Sequence, residues 1–288
     1  MSPRRNVSIA IVLAALCGSP KASADPVGEP PPRSGASNGV QYDLLTFYKE
    51  NYIIAGFTDA TEVKLQLSAK FDLWPNASKH AVHLAFTGKS LWDVYKPSAP
   101  FAETNYAPEV FYTFFHHEGR YSPPNGCAFF HERVGFEHES NGEAGARSRS
   151  WNRVYGESRL ACYGDMGLFS TLSLKAWAPF GISENPGIVR HLGYAELGVS
   201  VGSEGRGNRW GDVDVGVLAR KGTNRGLSEG SLELVARWRP AYGDFWRFTP
   251  YLIAQLFTGY GETLLSYDRS LTAFRVGIAL SDTSVRSN

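Results

Sequence analysis

The sequence has no surplus of charge of either sign: 29 Lys+Arg stand against 28 Asp+Glu, a formal net charge of +1. Nothing is left over to neutralise a phosphate backbone, which excludes a nucleic-acid partner. Also missing is any long apolar run beyond the N-terminus, and the mean hydropathy is −0.25. The chain is therefore not a polytopic helical membrane protein. A membrane barrel stays open, because its strands are apolar on one face only. Methionine is scarce at 2, whereas 30 Gly, 14 Tyr, 17 Phe and 7 Trp tilt the composition towards β structure.

Arg4 and Arg5 precede an apolar stretch from Val7 to Cys17, and Ala22-Ser23-Ala24 supplies the small residues of a cleavage site. Residues 1–24 read as a secretory signal peptide, with the mature chain starting at Asp25. Leu16 is too large for a lipidation signal at Cys17. Residues 25–39 are rich in Pro, Gly and Ser and form a flexible lead-in, leaving 40–288 as the folded domain.

Cys127 and Cys162 would then sit in an oxidising compartment, where a disulfide persists. If residues 126–140 and 150–164 form a hairpin, the two cysteines lie nearly opposite. Parity points the other way. Cys127 is an odd number of residues from His138 and Cys162 an even number from Asn152, so a regular hairpin turns them to opposite faces. A bulge would reunite them, and the sequence leaves both outcomes open.

The clearest periodic segment is 63–74, where Val63, Leu65, Leu67, Ala69, Phe71 and Leu73 alternate with Lys64, Gln66, Ser68, Lys70 and Asp72. A helix would scatter those apolar residues round its axis; a strand gathers them on one face. Similar segments lie near 45–57, 80–94, 109–118, 126–140, 150–164, 166–180, 189–203, 209–222, 230–243, 247–260 and 272–282. Gly, Pro, Asn, Asp and Ser punctuate them. The count is about twelve, even as in bacterial membrane barrels, and the strands are long enough to cross a bilayer at a tilt. Trp74, Trp92, Trp151, Trp177, Trp210 and Trp238 fall near strand ends, as interfacial girdles require. The fold expected is all-β, a twelve-stranded antiparallel transmembrane barrel, with a secreted β-sandwich or soluble barrel as the alternative. Arg133, Glu137, Glu139, Arg237 and Arg239 are expected inside, as a polar network filling a narrow lumen.

Chemistry is suggested by Val134-Gly135-Phe136-Glu137-His138-Glu139-Ser140-Asn141-Gly142, a strand running into a turn. Val134, Phe136, His138 and Ser140 share one face, so polar side chains project at the edge of an apolar surface. Residues two apart on a strand are about 6–7 Å apart at Cα, close enough for a His and a Ser to lean together. Serine needs a neighbouring base to become a nucleophile, and histidine suits that task. Asn152, across the hairpin, could hold the other ring nitrogen. The remaining histidines, among them the adjacent pair His116-His117, are assigned plain polar roles, because neighbours on a strand face opposite ways.

His138 with Glu139-Ser140-Asn141-Gly142, followed by Ser148-Arg149-Ser150-Trp151-Asn152-Arg153, resembles the signature of the bacterial outer-membrane phospholipase A family. Val63 to Ser68, Pro100-Phe101, Glu103 to Glu109, Glu184-Asn185-Pro186 and Gly259 to Glu262 look like further landmarks of it. The resemblance implies a calcium-dependent enzyme of the outer membrane that hydrolyses sn-1 and sn-2 acyl esters of phospholipids and lysophospholipids, active as a homodimer. By match, Ser140 is the nucleophile, His138 the general base and acid, Asn152 the orienting residue and the Gly142 N–H an oxyanion donor. An amide in place of a carboxylate avoids burying a charge beside lipid. The implied calcium ligands are Ser98 from the partner chain, Glu143 through its carbonyl oxygen, Ser148, and Glu184 at a further position. Gly88 stands where the family's dimer interface carries a glutamine, a change expected to remove about 1 kcal/mol of intramembrane hydrogen bonding. A non-catalytic pore or structural barrel that keeps the fold without the activity is the alternative function.

Overall fold

The computed structural model describes residues 45–56, 62–73, 80–116, 126–164, 167–203, 211–224, 229–241 and 248–282. The signal peptide and lead-in, Trp74, His117 and Trp210 lie outside the described residues. The strands are β1 (Leu45–Phe47), β2 (Asn51–Gly56), β3 (Val63–Asp72), β4 (His80–Trp92), β5 (Phe101–Phe115), β6 (Gly126–Ser140) and β7 (Ser150–Tyr163). They continue as β8 (Leu168–Phe180), β9 (Ala195–Ser203), β10 (Asp212–Lys221), β11 (Gly230–Arg239), β12 (Phe248–Gly259) and β13 (Leu271–Asp282). Each pairs antiparallel with its neighbours, and β13 returns to β2 at Ile278↔Ile53, which closes the sheet. Both β1 and β2 pair with β3, at Leu45↔Phe71 and Tyr52↔Gln66, so they are one strand interrupted at Tyr48–Glu50. The thirteen segments therefore make a closed barrel of twelve strands, as the alternation predicts.

The alternation is inside-out relative to a soluble protein. Leu67, 71 % exposed, and Phe71 point outward, while Lys64, Ser68 and Lys70 on the same strand are buried in the lumen. Val134, Val154, Leu174, Val201, Leu252 and Ile278 continue the exposed apolar surface on other strands. A bilayer core makes this favourable, since each outward residue then meets hydrocarbon rather than water.

The lumen is filled with compensated charge. Glu137 takes Lys49 at 3.3 Å, Arg153 at 3.0 Å and Lys175 at 3.1 Å. Asp214 holds Arg237 at 2.8 Å and Arg239 at 2.5 Å. Glu139 and Arg133 face inward too, with Glu139 3.2 Å from Arg153 and Arg133 3.8 Å from Glu157. Towards one end, here the upper rim, Tyr48, Phe111, Trp151, Tyr155 and Trp177 pack beneath Leu192 of a short helix α1 (Ile188–Leu192) and Leu264. Glu262 anchors the loop carrying Leu264. Burial pushes its carboxyl up, but Lys64 at 2.7 Å, with Arg275 and Lys89, outweighs this and holds it down to about 2.

Three expectations change. β5 begins at Phe101 rather than near 109, because Glu103, Asn105 and Glu109 face the lumen and break the apolar pattern that marks a strand. The segment 189–203 starts as α1 and turns into β9 only at Ala195. Trp151 and Trp177 belong to the interior, 6.4 Å apart edge to face, while Trp92 and the 41 % exposed Trp238 sit at strand ends on the outer face.

Cys127 and Cys162 are joined. Along the hairpin the paired numbers run Ser140↔Ser150 to His131↔Arg159, then shift at Phe130 to Phe129↔Leu160 and Cys127↔Cys162. That single extra residue is the bulge that reverses the parity and turns both sulfurs to the outer face, near the lower rim. The bond spans 35 residues, and replacing both cysteines by alanine is expected to cost about 3–4 kcal/mol, seen as a lower urea midpoint for barrel unfolding.

Candidate active site

β6 and β7 carry the site at the upper rim. The ladder sets His138 opposite Asn152 and Ser140 opposite Ser150. His138 Nδ1 and Asn152 Oδ1 are 2.9 Å apart. An amide oxygen can only accept, so the imidazole proton resides on Nδ1, and Nε2 is left as the basic nitrogen. Ser140 lies two residues further along, on the same outward face beyond Val134 and Phe136, and is half-buried. Among the described residues no hydrogen bond joins Ser140 to His138, a link that commonly tightens only when substrate is bound. On the other side of β6, the ladder to β5 skips Ala107 and Pro108, which would face Glu139 and His138. Proline has no N–H to give there.

Beyond Ser140 the chain turns through a loop organised by one side chain. Buried Asn141 accepts the Arg149 N–H at 3.0 Å and the Glu143 N–H at 3.3 Å, and donates to the Arg147 carbonyl at 2.8 Å. Gly142 follows with φ 67°, a left-handed turn, and a Cβ there would come within 3.0 Å of the Tyr106 ring. Tyr106 is itself opposite Ser140 on β5, so an aromatic face closes the site laterally.

The oxygen-bearing residues divide into three places. Ser148 Oγ donates to Glu184 Oε2 at 3.0 Å, and Ser150 Oγ donates to the same oxygen at 2.9 Å. Asn185 holds this arrangement by donating to the Ser150 carbonyl at 2.7 Å. Glu143 is elsewhere: its carboxylate grips Arg147, with one contact of 2.9 Å, and that hydrogen bond lowers its pKa. The side chain is therefore committed to Arg147, which leaves the carbonyl as the ligand oxygen the residue can offer. Ser98 is exposed on the loop between β4 and β5, with φ 64°, and among the described residues no hydrogen bond joins it to Ser148, Glu143 or Glu184. Gly88 faces outward on β4, where a Cβ would meet Phe86 at 3.6 Å, ordinary packing distance.

Sequence reasoning gave no role to Ser150 and Asn185, though both fall inside the family-like motifs, and did not single out Gly181. The signal for Ser150 was its register opposite Ser140; Glu184 reaches it only through the fold of the 181–187 loop. His83 and His131 lie in the lumen, with His83 2.6 Å from Asp72 and His131 3.3 Å from Glu157. No group of three or more His, Cys, Asp or Glu placed to hold a metal occurs among the described residues. A cation here would rely on hydroxyl and carbonyl oxygens with one carboxylate, a donor set suited to a hard ion.

A family model described as phospholipase A1 matches residues 39–280. Phospholipase A1 of Escherichia coli strain K12 is 34% identical over 232 residues, covering 77% of this chain and 70% of its own. The outer membrane phospholipase of Salmonella typhi, solved as a dimer with bound calcium, superposes with TM-score 0.65 at 29% identity, over 83% of this chain and 92% of that one. An active-site mutant of outer membrane phospholipase A from Escherichia coli, with an asparagine replaced by alanine, gives TM-score 0.66 at 27% identity, over 86% and 95%. The chain belongs to the phospholipase A1 family and is a twelve-stranded β-barrel of the bacterial outer membrane.

Proposed function

We propose that this barrel hydrolyses the sn-1 and sn-2 acyl esters of phospholipids and lysophospholipids, with Ser140, His138 and Asn152 as its triad. The observation that carries the reading is the 2.9 Å His138–Asn152 hydrogen bond on the outward, lipid-facing side of the barrel, two residues along β6 from Ser140. The replaced asparagine of the Escherichia coli active-site mutant supports the role given to Asn152. Ser140 Oγ attacks the ester carbonyl while His138 Nε2 takes its proton. Asn152 keeps the imidazole in the tautomer that leaves Nε2 basic, and the Gly142 N–H faces the developing oxyanion. His138 then returns the proton to the departing lysophospholipid, and water releases the acyl group by the same route reversed.

Calcium is taken as the cofactor because the Salmonella typhi relative binds it and because this chain's oxygens suit it. Ser148 and the Glu143 carbonyl would hold it, with Ser98 supplied by the partner of a homodimer and Glu184 at a further position. When bound, the ion supplies positive charge close to the reacting ester. A lumen closed by ion pairs at Glu137 and Asp214 speaks against the pore alternative.

The test is fatty-acid release from phospholipid in mixed micelles by the refolded barrel, with calcium and with chelator. Calcium-dependent release is expected. Glu184→Gln is expected to weaken calcium binding about tenfold by titration calorimetry, because the lone carboxylate near the serine hydroxyls is lost. Release unaffected by chelator would remove the Ser98, Glu143, Ser148 and Glu184 assignments while sparing the triad.

A further inference from the structure

We infer that Gly181 is a positioning residue for the triad, which keeps the Asn152 amide turned so that its oxygen meets His138. The inference rests on the catalytic reading above. Phe180, the last residue of β8, pairs with Asn152 across the β7–β8 ladder, and Gly181 follows directly as the chain leaves the barrel wall. There the backbone takes φ +61°, and a Cβ built on Gly181 would lie 2.6 Å from Asn152 Nδ2 and 3.9 Å from its Cγ. Both values place the amide group over the bare α-carbon. The Nδ2 end also reaches the Phe180 carbonyl at 3.5 Å, while the Oδ1 end receives His138 at 2.9 Å.

The physical consequence is directional. An amide is free to rotate about its last bond unless both ends are engaged. Here the nitrogen end occupies space that only glycine leaves empty, and the oxygen end is then aimed at Nδ1 of the imidazole. Any side chain at 181 pushes the amide away from β8, towards or past the histidine, and the hydrogen bond that fixes the tautomer is lost. Gly181 touches no reacting atom; it acts through Asn152.

Gly181→Ala is expected to lower kcat on the order of 10²-fold with little change in KM, the scale of a small misplacement at a catalytic group. In an Asn152→Ala background, which has no amide to displace, adding Gly181→Ala should change kcat less than about twofold. An equal loss in both backgrounds, or wild-type kcat in Gly181→Ala, would overturn the proposal. Gly181→Asn separates space from conformation, because asparagine adopts left-handed φ readily yet carries the Cβ. It should lose rate as Gly181→Ala does; wild-type rate in it would show that only the backbone conformation matters and overturn the idea. Heat-modifiable gel mobility reports whether each barrel is folded. The same contact is read without turnover from the ¹⁵N shifts of the His138 ring in detergent: one Nδ1–H tautomer in the native chain and a mixture in Gly181→Ala. A single unchanged tautomer in both would overturn the inference whatever the substrate is, whereas absence of phospholipid hydrolysis by the native chain would instead sink the functional reading.

Discussion

Ser140→Ala is expected to lower fatty-acid release by at least about 10⁴-fold while the barrel folds normally, the largest effect expected of any single substitution on activity. The magnitude follows from the nucleophile's role proposed for Ser140. Without Oγ no acyl-enzyme forms, and only water attack assisted by the oxyanion donors remains. Normal folding is expected because Ser140 sits at the outer rim, where its methyl replacement meets lipid and the Tyr106 side rather than the packed interior. The control is built into the hairpin. Ser150 is directly opposite Ser140, and its hydroxyl is committed to Glu184 at 2.9 Å. A sulfonyl fluoride should therefore label Ser140 and leave Ser150 untouched, read by mass spectrometry of the peptide. Retention of more than a few per cent of the native rate in Ser140→Ala, or labelling that survives the substitution, would place the nucleophile elsewhere.

Much of this architecture was legible because a barrel repeats one rule. Period-two alternation over 63–73 identified β3 and its lipid face without any neighbour. The rule fails where the inward residues stop looking different from a loop, as at Glu103 and Asn105, and where Pro108 interrupts the outward face, so the first half of β5 was invisible. It fails again for Trp151 and Trp177: position near a strand end is shared by girdle and interior tryptophans, and only the parity along β7 and β8 distinguishes them. The disulfide turned on Phe130, an apolar residue that nothing local marks as a bulge.

At the site, the pair His138–Asn152 could be anticipated because hairpin register is arithmetic, and the loop residues could not. The carboxylate of Glu143 is captured by Arg147, four residues on across a single turn of 3-10 helix. Ser150 and Gly181 act through contacts between segments some thirty residues apart, which no short motif encodes.

The second large effect concerns stability. Glu137→Ala is expected to destabilise the barrel by about 3–5 kcal/mol, the cost of leaving buried cations without their anion. Glu137 is 2 % exposed and is shared by Lys49, Arg153 and Lys175. Lys49 keeps Glu109 at 3.6 Å and Arg153 keeps Glu139 at 3.2 Å, so the removal falls hardest on Lys175. Neutralising one of them in return should recover part of the loss: Glu137→Ala with Lys175→Met is expected to be more stable than Glu137→Ala alone. Urea unfolding in detergent micelles, followed by tryptophan fluorescence, measures both. Equal midpoints for the native chain and Glu137→Ala would mean that the lumen charges are solvated rather than compensated. The effect should also reach catalysis, because Glu137 pairs directly with Arg153 across the β6–β7 ladder and the next pair is His138 with Asn152. Alternation puts the ion pair inside and the His138–Asn152 pair outside on the same two strands, so the buried charges hold the register that brings the imidazole and the amide together. Glu137→Ala should accordingly lose kcat at temperatures well below its unfolding, and Glu137→Ala with Lys175→Met should regain it in the same order as stability.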